Sequence, residues 1–143
     1  MFIKQISVFL ENAKGGLSKL TKTIAEAGVD LIALSIADTE HYGIMRFIVS
    51  DAEGAMRAIK DAGYTARLTD VIAVSVSNRP GGLSEVLALL DGAGISVEYL
   101  YSFARSAGER AQIILRVNDD NAAAKILGEA GVVMLDQAQV DAL

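Results

Sequence analysis

Between Gln5 and Glu11 the chain sets Ile6, Val8 and Leu10 against Gln5, Ser7 and Glu11, the period-two alternation of a half-buried strand. Phe9 is an apolar exception on the second face. From Leu17 the period changes. Leu17, Leu20, Ile24 and Ala27 recur at spacings of three and four, one face of a helix, and Gly28 follows where a left-handed C-terminal cap needs a residue without Cβ. Residues 30–38 and 43–50 predict two more strands, separated by a polar turn around Thr39 to Gly43. Ser50 with Glu53 three places on reads as a capping box. It opens a second helix that carries Ala55, Met56, Ile59 and Ala62 and stops at Gly63, and a strand over 64–70 closes the series. The predicted order is βαββαβ.

The same order is then written again. A shift of 66 residues superposes Ile6 on Ile72, Val8 on Val74, Asn12 on Asn78, Gly15 to Ser18 on Gly81 to Ser84, Ala27 and Gly28 on Ala93 and Gly94, and Leu34 on Leu100. After a two-residue insertion the offset is 68, pairing Val49 with Val117, Asp51 with Asp119, Ala55 with Ala123 and Gly63 with Gly131. Copy two should have strands at about 72–77, 97–103, 111–117 and 132–136. No Pro- or Gly-rich linker divides the copies, so the expected boundary, domain one over 1–70 and domain two over 71–143, falls within continuous strand sequence. A βαββαβ unit folds as an antiparallel sheet with both helices on one face, so the predicted class is α+β with two ferredoxin-like units. That topology places the second strand at a sheet edge. Residues 31–37 are apolar on both faces, and Val97, Tyr99, Tyr101 and Phe103 are expected to share one face of the equivalent strand; such edges invite pairing between copies or chains, and a homodimer is expected.

Composition removes several function classes. The formal charge of −5 offers no attraction to phosphate backbones or anionic lipid, so neither nucleic acid nor membrane is expected as a partner. With no Cys and one His there is no disulfide frame, no thiol nucleophile and no His-built zinc site, and neither a metal nor a cofactor is expected. The opening segment has neither the basic flank and cleavage site of a signal peptide nor the length of a membrane span, which points to the cytoplasm. His41, between Glu40 and Tyr42, reads as a surface histidine. Ser18 and Ser84 have no histidine beside them, so no nucleophile–base pair is available and no enzymatic activity is expected.

The doubled turn carries the candidate chemistry. An Asn ends each first strand, and two glycines stand where the chain bends into a helix. Such a turn presents backbone N–H groups at the positive end of a helix dipole, where a carboxylate is favoured. A purely structural tight turn with Asn as a cap accounts for the same residues.

The segment from Asn78 through Pro80, Gly81 and Leu83, with its helix and the Gly94–Ile95–Ser96 turn, resembles the ACT domain, whose first loop has the pattern N-x-P-G-x-L. The resemblance spans both copies and nearly the whole chain, and the arrangement is similar to stand-alone tandem ACT proteins. It implies binding of a free amino acid or related small molecule where the first loop of one unit meets the second strand of a neighbour. Carried over by position, the loop residues are Asn12, Ala13, Lys14, Gly15, Gly16 and Leu17 in copy one, and Asn78, Arg79, Pro80, Gly81, Gly82 and Leu83 in copy two. The strand residues are Leu34, Ser35, Ile36, Ala37 and Asp38. The family's Asn or Asp at the start of the second strand corresponds to Asp30 in copy one but to Ser96 in copy two, and Lys14 replaces the proline in copy one. The expected site is therefore copy one, with the ligand carboxylate on the Gly15 and Gly16 N–H groups and its ammonium near Asp30 or Asp38. The implied role is an amino-acid-binding regulatory protein acting on an enzyme of amino-acid metabolism. The other reading is a structural or assembly subunit that uses the pair only as a dimerisation platform.

Overall fold

The computed structural model describes residues 2–11, 13–38, 41–104 and 108–143. They form two compact units, one over Lys4–Thr69 and one over Asp70–Leu143 that also takes in Phe2 and Ile3.

In the first unit, β1 (Ile3–Glu11) leads through α1 (Gly16–Glu26) to β2 (Leu31–Asp38) and β3 (Tyr42–Val49), then through α2 (Ala52–Asp61) into β4 (Thr65–Ser77). β1 pairs antiparallel with β3, β3 pairs antiparallel with β2, and β2 forms the edge. The alternation in β1 has the expected outcome. Ile6, Val8, Met45 and Phe47 from the sheet join Leu20 and Ile24 of α1 and Ala55 and Ile59 of α2 in one core, and all are essentially inaccessible to solvent. Each such large side chain contributes about 1.5–3 kcal/mol by leaving water. Gly28 ends α1 at φ +74°, the left-handed conformation its position requires.

β4 is a single strand of 13 residues that continues into the second unit. There it is followed by α3 (Gly82–Gly92), β5 (Val97–Ser102), β6 (Arg110–Val117), α4 (Asp120–Glu129), β7 (Val133–Leu135) and α5 (Gln137–Asp141). β4 pairs antiparallel with β6 and with β7, and β5 lies outside β6 as the edge. The core repeats the first, with Ile72, Val74 and Leu115 against Val86, Leu90, Ala123 and Leu127. The fold is thus α+β, a βαββαβ series written twice with antiparallel sheets, as the sequence predicts.

Three local features differ from the expectation. The cap of α2 is Asp51, whose carboxylate accepts from the Gly54 N–H at 3.0 Å, and not Ser50. Ser50 Oγ instead accepts from the Asp30 N–H at 3.0 Å, tying the end of β3 to the entry of β2. In β5 a register shift between Val97 and Tyr99 reverses the alternation: Val97 and Leu100 both pack on the core, while Tyr99 and Tyr101 take the opposite face. An extra residue in one strand does this wherever it occurs. The short helix α5 was not expected from the pattern; Asp136 and Gln139 form a reciprocal capping box at its start. No helix among the described residues is long and apolar enough to cross a membrane.

Candidate functional site

Each copy bends from strand to helix over its glycine pair. Gly15 has φ +81° and Gly81 φ +88°, conformations that favour glycine. The second glycine's N–H is consumed by the turn itself. Gly16 donates to the Ala13 carbonyl at 3.1 Å, and Gly82 to the Arg79 carbonyl at 3.1 Å. Gly16 is therefore not available to a ligand in this conformation. The N–H groups of Gly15, Leu17 and Ser18 have no hydrogen-bond partner among the described residues.

The surroundings of the two turns diverge. In copy two, Arg79 forms an ion pair with Glu85 in the first turn of α3 at 2.8 Å and also donates to the Pro80 carbonyl at 3.3 Å. Glu85 already supplies negative charge to the positive end of that helix. At the position equivalent to Glu85, copy one has Lys19, and the first turn of α1 contains no acid. With Lys14 in the turn, the first copy presents two lysines and an uncompensated helix end, the arrangement that favours an incoming carboxylate. Packing under the glycines diverges too. A Cβ on Gly82 would overlap the Ser77 carbonyl oxygen and lie 3.1 Å from its carbon, whereas one on Gly16 would stand 3.6 Å from the Glu11 carbonyl oxygen, an ordinary contact.

A cleft of about 450 Å³ opens beside the first turn. Ala13 and Gly16 contribute one side, Phe9, Leu10 and Glu11 at the end of β1 its floor, and Tyr42 with the Gly63–Thr65 turn the rest. Of these only Ala13 and Gly16 are among the predicted site residues. Phe9, Glu11, Tyr42 and Tyr64 come from segments up to 55 residues apart in sequence and meet only when the sheet forms. A comparison of the two copies would have flagged the aromatic ones: their counterparts are Ser75, Arg110 and Val132.

The remaining predicted residues are distributed as follows. Asn12 lies outside the described residues, as does the side chain of Asp38. The backbone of Asp38 is opposite Gly43, itself opposite Leu10, so it ends the same row of the sheet two strands, or about 10 Å, from Leu10. Asp30 is elsewhere. It lies at the far end of α1, and eleven helical residues span about 16 Å. It borders a separate depression that also includes Lys22. Asp30 and the Gly15 turn of one unit are therefore too far apart to hold the two ends of one small amino acid. Leu34 and Ile36 are exposed on the edge strand, on the core-side face, with Ser35 and Ala37 on the other. Asn78 and Arg79 border a depression of about 470 Å³ with Ser77 and Glu109; Pro80 and Gly81 are exposed, and Gly82 is buried. His41 is exposed. Among the described residues no cluster of three His, Cys, Asp or Glu is placed to hold a metal ion.

A family model described as an ACT domain pair matches residues 1–141. The chain belongs to the ACT family. The structure of this ACT pair is similar to the crystal structure of a protein from Bacteroides thetaiotaomicron, with a TM-score of 0.94 and 36% identity, covering 100% of this chain and 98% of that one. It is also similar in fold to the regulatory subunit of aspartate kinase from Thermus thermophilus in its ligand-free form, with a TM-score of 0.65 and 19% identity over 89% of this chain and 91% of that chain. The corresponding subunit from Thermus flavus gives 0.61 and 18% over 90% and 92%. A sequence search of curated proteins found no match.

Proposed function

We propose that this ACT pair is a non-catalytic regulatory protein that senses a free amino acid, or a related small molecule, at the first-copy turn. The observation that carries the reading is the contrast in charge at the two helix ends: α1 begins with no acid in its first turn, beside Lys14, Lys19 and a cleft, while the start of α3 carries the Arg79–Glu85 ion pair. The ACT units are taken as residues 1–70 and 71–143. The exposed Leu34 and Ile36 on an edge strand favour a homodimer, in which β2 of a neighbouring unit supplies the second wall of the site, Asp38 included. A target enzyme of amino-acid metabolism would read the ligand's preference for one arrangement over another, since a ligand shifts such an equilibrium only by its difference in affinity. The likeness in fold to aspartate kinase regulatory subunits supports this direction.

A thermal-shift and calorimetric screen of the protein against the twenty amino acids tests the reading. A specific ligand at 100 times its Kd stabilises the fold by about 2.7 kcal/mol and raises Tm accordingly. The absence of any shift at millimolar concentrations would leave the assembly-platform reading in its place. Light scattering tests the dimer, and a mass equal to the 15.1 kDa chain at micromolar concentration would exclude it.

A further inference from the structure

The cleft beside the first turn differs from its counterpart in copy two in a way that concerns the ligand's side chain. Glu11 is paired with Tyr42 across β1 and β3, and Phe9 is paired with Ile44, so Phe9, Glu11 and Tyr42 stand on one face of the sheet. Phe9 and Tyr42 are a diagonal pair, and such pairs stand about 7–8 Å apart. A third ring inserted there reaches both at the 4.5–7 Å centroid distances typical of aromatic contacts. Both rings are substantially exposed, at 43% and 50%. Tyr64 borders the same cleft, with Ala13 and Gly16 of the turn.

In copy two the equivalent place is filled from within. Ser75 stands where Phe9 does and Arg110 where Tyr42 does. The Arg110 guanidinium donates to Ser75 Oγ at 3.1 Å and to the Ser75 carbonyl oxygen. Val132 replaces Tyr64. One framework thus carries three aromatic residues in one copy and an arginine lock in the other.

We infer that the first-copy cleft selects an amino acid with an aromatic side chain, its ring between Phe9 and Tyr42 and against Tyr64, its carboxylate toward the lysine-flanked turn and its ammonium toward Glu11. The inference rests on the proposed amino-acid-sensing role and adds the side-chain class. It uses the cleft and the turn together, and assigns Glu11 the ammonium contact within the same unit.

The chain contains no Trp, so a change in the indole emission of added L-tryptophan reports binding with no indole contribution from the protein, and calorimetry extends the measurement to L-phenylalanine, L-leucine, L-threonine and L-lysine. An aromatic amino acid is expected to bind at least about ten-fold more tightly than the other three, the effect of roughly one buried aromatic contact. Phe9→Ser and Tyr42→Ala should each weaken that binding about ten-fold, with an unchanged far-UV spectrum showing that the fold is kept. Arg110→Ala in copy two should leave it intact. Leucine, threonine or lysine binding as tightly as phenylalanine, or full aromatic affinity in Tyr42→Ala, overturns the aromatic assignment while the sensing role stands. No binding by any of the twenty amino acids removes both.

Discussion

The two glycine turns share Gly-Gly-Leu-Ser and nearly the same backbone, yet their surroundings differ. In copy two the helix end has an acid of its own: Glu85 lies in the first turn, Arg79 pairs with Glu85, and Gly82 lies against the Ser77 carbonyl. In copy one the same positions hold Lys19, Lys14 and a glycine with room above it. A motif that recurs by duplication therefore says where a site can be built, and the residues that fail to recur are what set the two copies apart.

The comparison is most exposed to failure at the second glycine. Gly82→Ala forces the new methyl into the Ser77 carbonyl, whose backbone is held in β4, and should cost about 2–4 kcal/mol in urea denaturation. Gly16→Ala meets only an ordinary contact and sits at the first residue of α1, so it should be neutral or stabilising by up to about 1 kcal/mol. Equal costs for the two would refute the difference in packing. Gly15→Val is a less informative probe, because the left-handed φ of Gly15 strains any β-branched residue whether or not a ligand approaches.

Lys19→Glu rewrites copy one in the manner of copy two. An acid in the first turn of α1 should add about 0.3–1 kcal/mol of stability through the helix dipole and lower the affinity for an amino-acid carboxylate about ten-fold. Affinity that is unchanged or improved in this variant would mean that the helix end does not hold the carboxylate.

The smallest effect concerns a cluster present only in copy two, where Arg116 contacts Asp120 at 3.0 Å and Glu98 at 3.5 Å. The matching positions in copy one are Ile48, Ala52 and Ile32. Burial raises the Asp120 carboxyl above its ordinary value and outweighs the opposing attraction of Arg116. The folded state therefore binds more protons than the unfolded chain just above pH 3.8, so this group's contribution to stability falls as pH rises through that window. Against Asp120→Asn, the wild type should gain relative stability on acidification from pH 6 to pH 4, by a few tenths of a kcal/mol given its partial exposure. A relative loss would reverse the sign of the argument.

Much of this was legible because hydrophobic burial imposes its period on sequence directly. The alternation in residues 5–11 and the helical spacing from Leu17 to Ala27 located β1 and α1 within two residues, and the repeat extended the result to copy two. Periodicity does not record an inserted residue, so the bulge that turns Val97 toward the core was invisible. Ser50 and Asp51 are adjacent residues with similar capping ability, and only the position of the Asp30 N–H decides between them. The cleft was legible least. In the sequence Tyr42 is the edge of a polar turn, Phe9 a lapse in alternation and Tyr64 part of a strand, and what they have in common is a place in space, with no spacing along the chain.

Phe2 and Ile3 are grouped with the second unit, and Phe2 packs on its core, although residues 4–69 intervene. In terms of folding order this makes the second copy dependent on the first. If the intervening chain were unfolded, bringing Ile3 to a unit that begins at Asp70 would close a loop of more than sixty residues against its entropy. Once the first copy has folded, both ends of that loop belong to a formed body and little closure entropy remains to be lost. The second unit thus draws its parts from both sides of the first in sequence, residues 2–3 and 70–143, and carries the longer sequence separation to close.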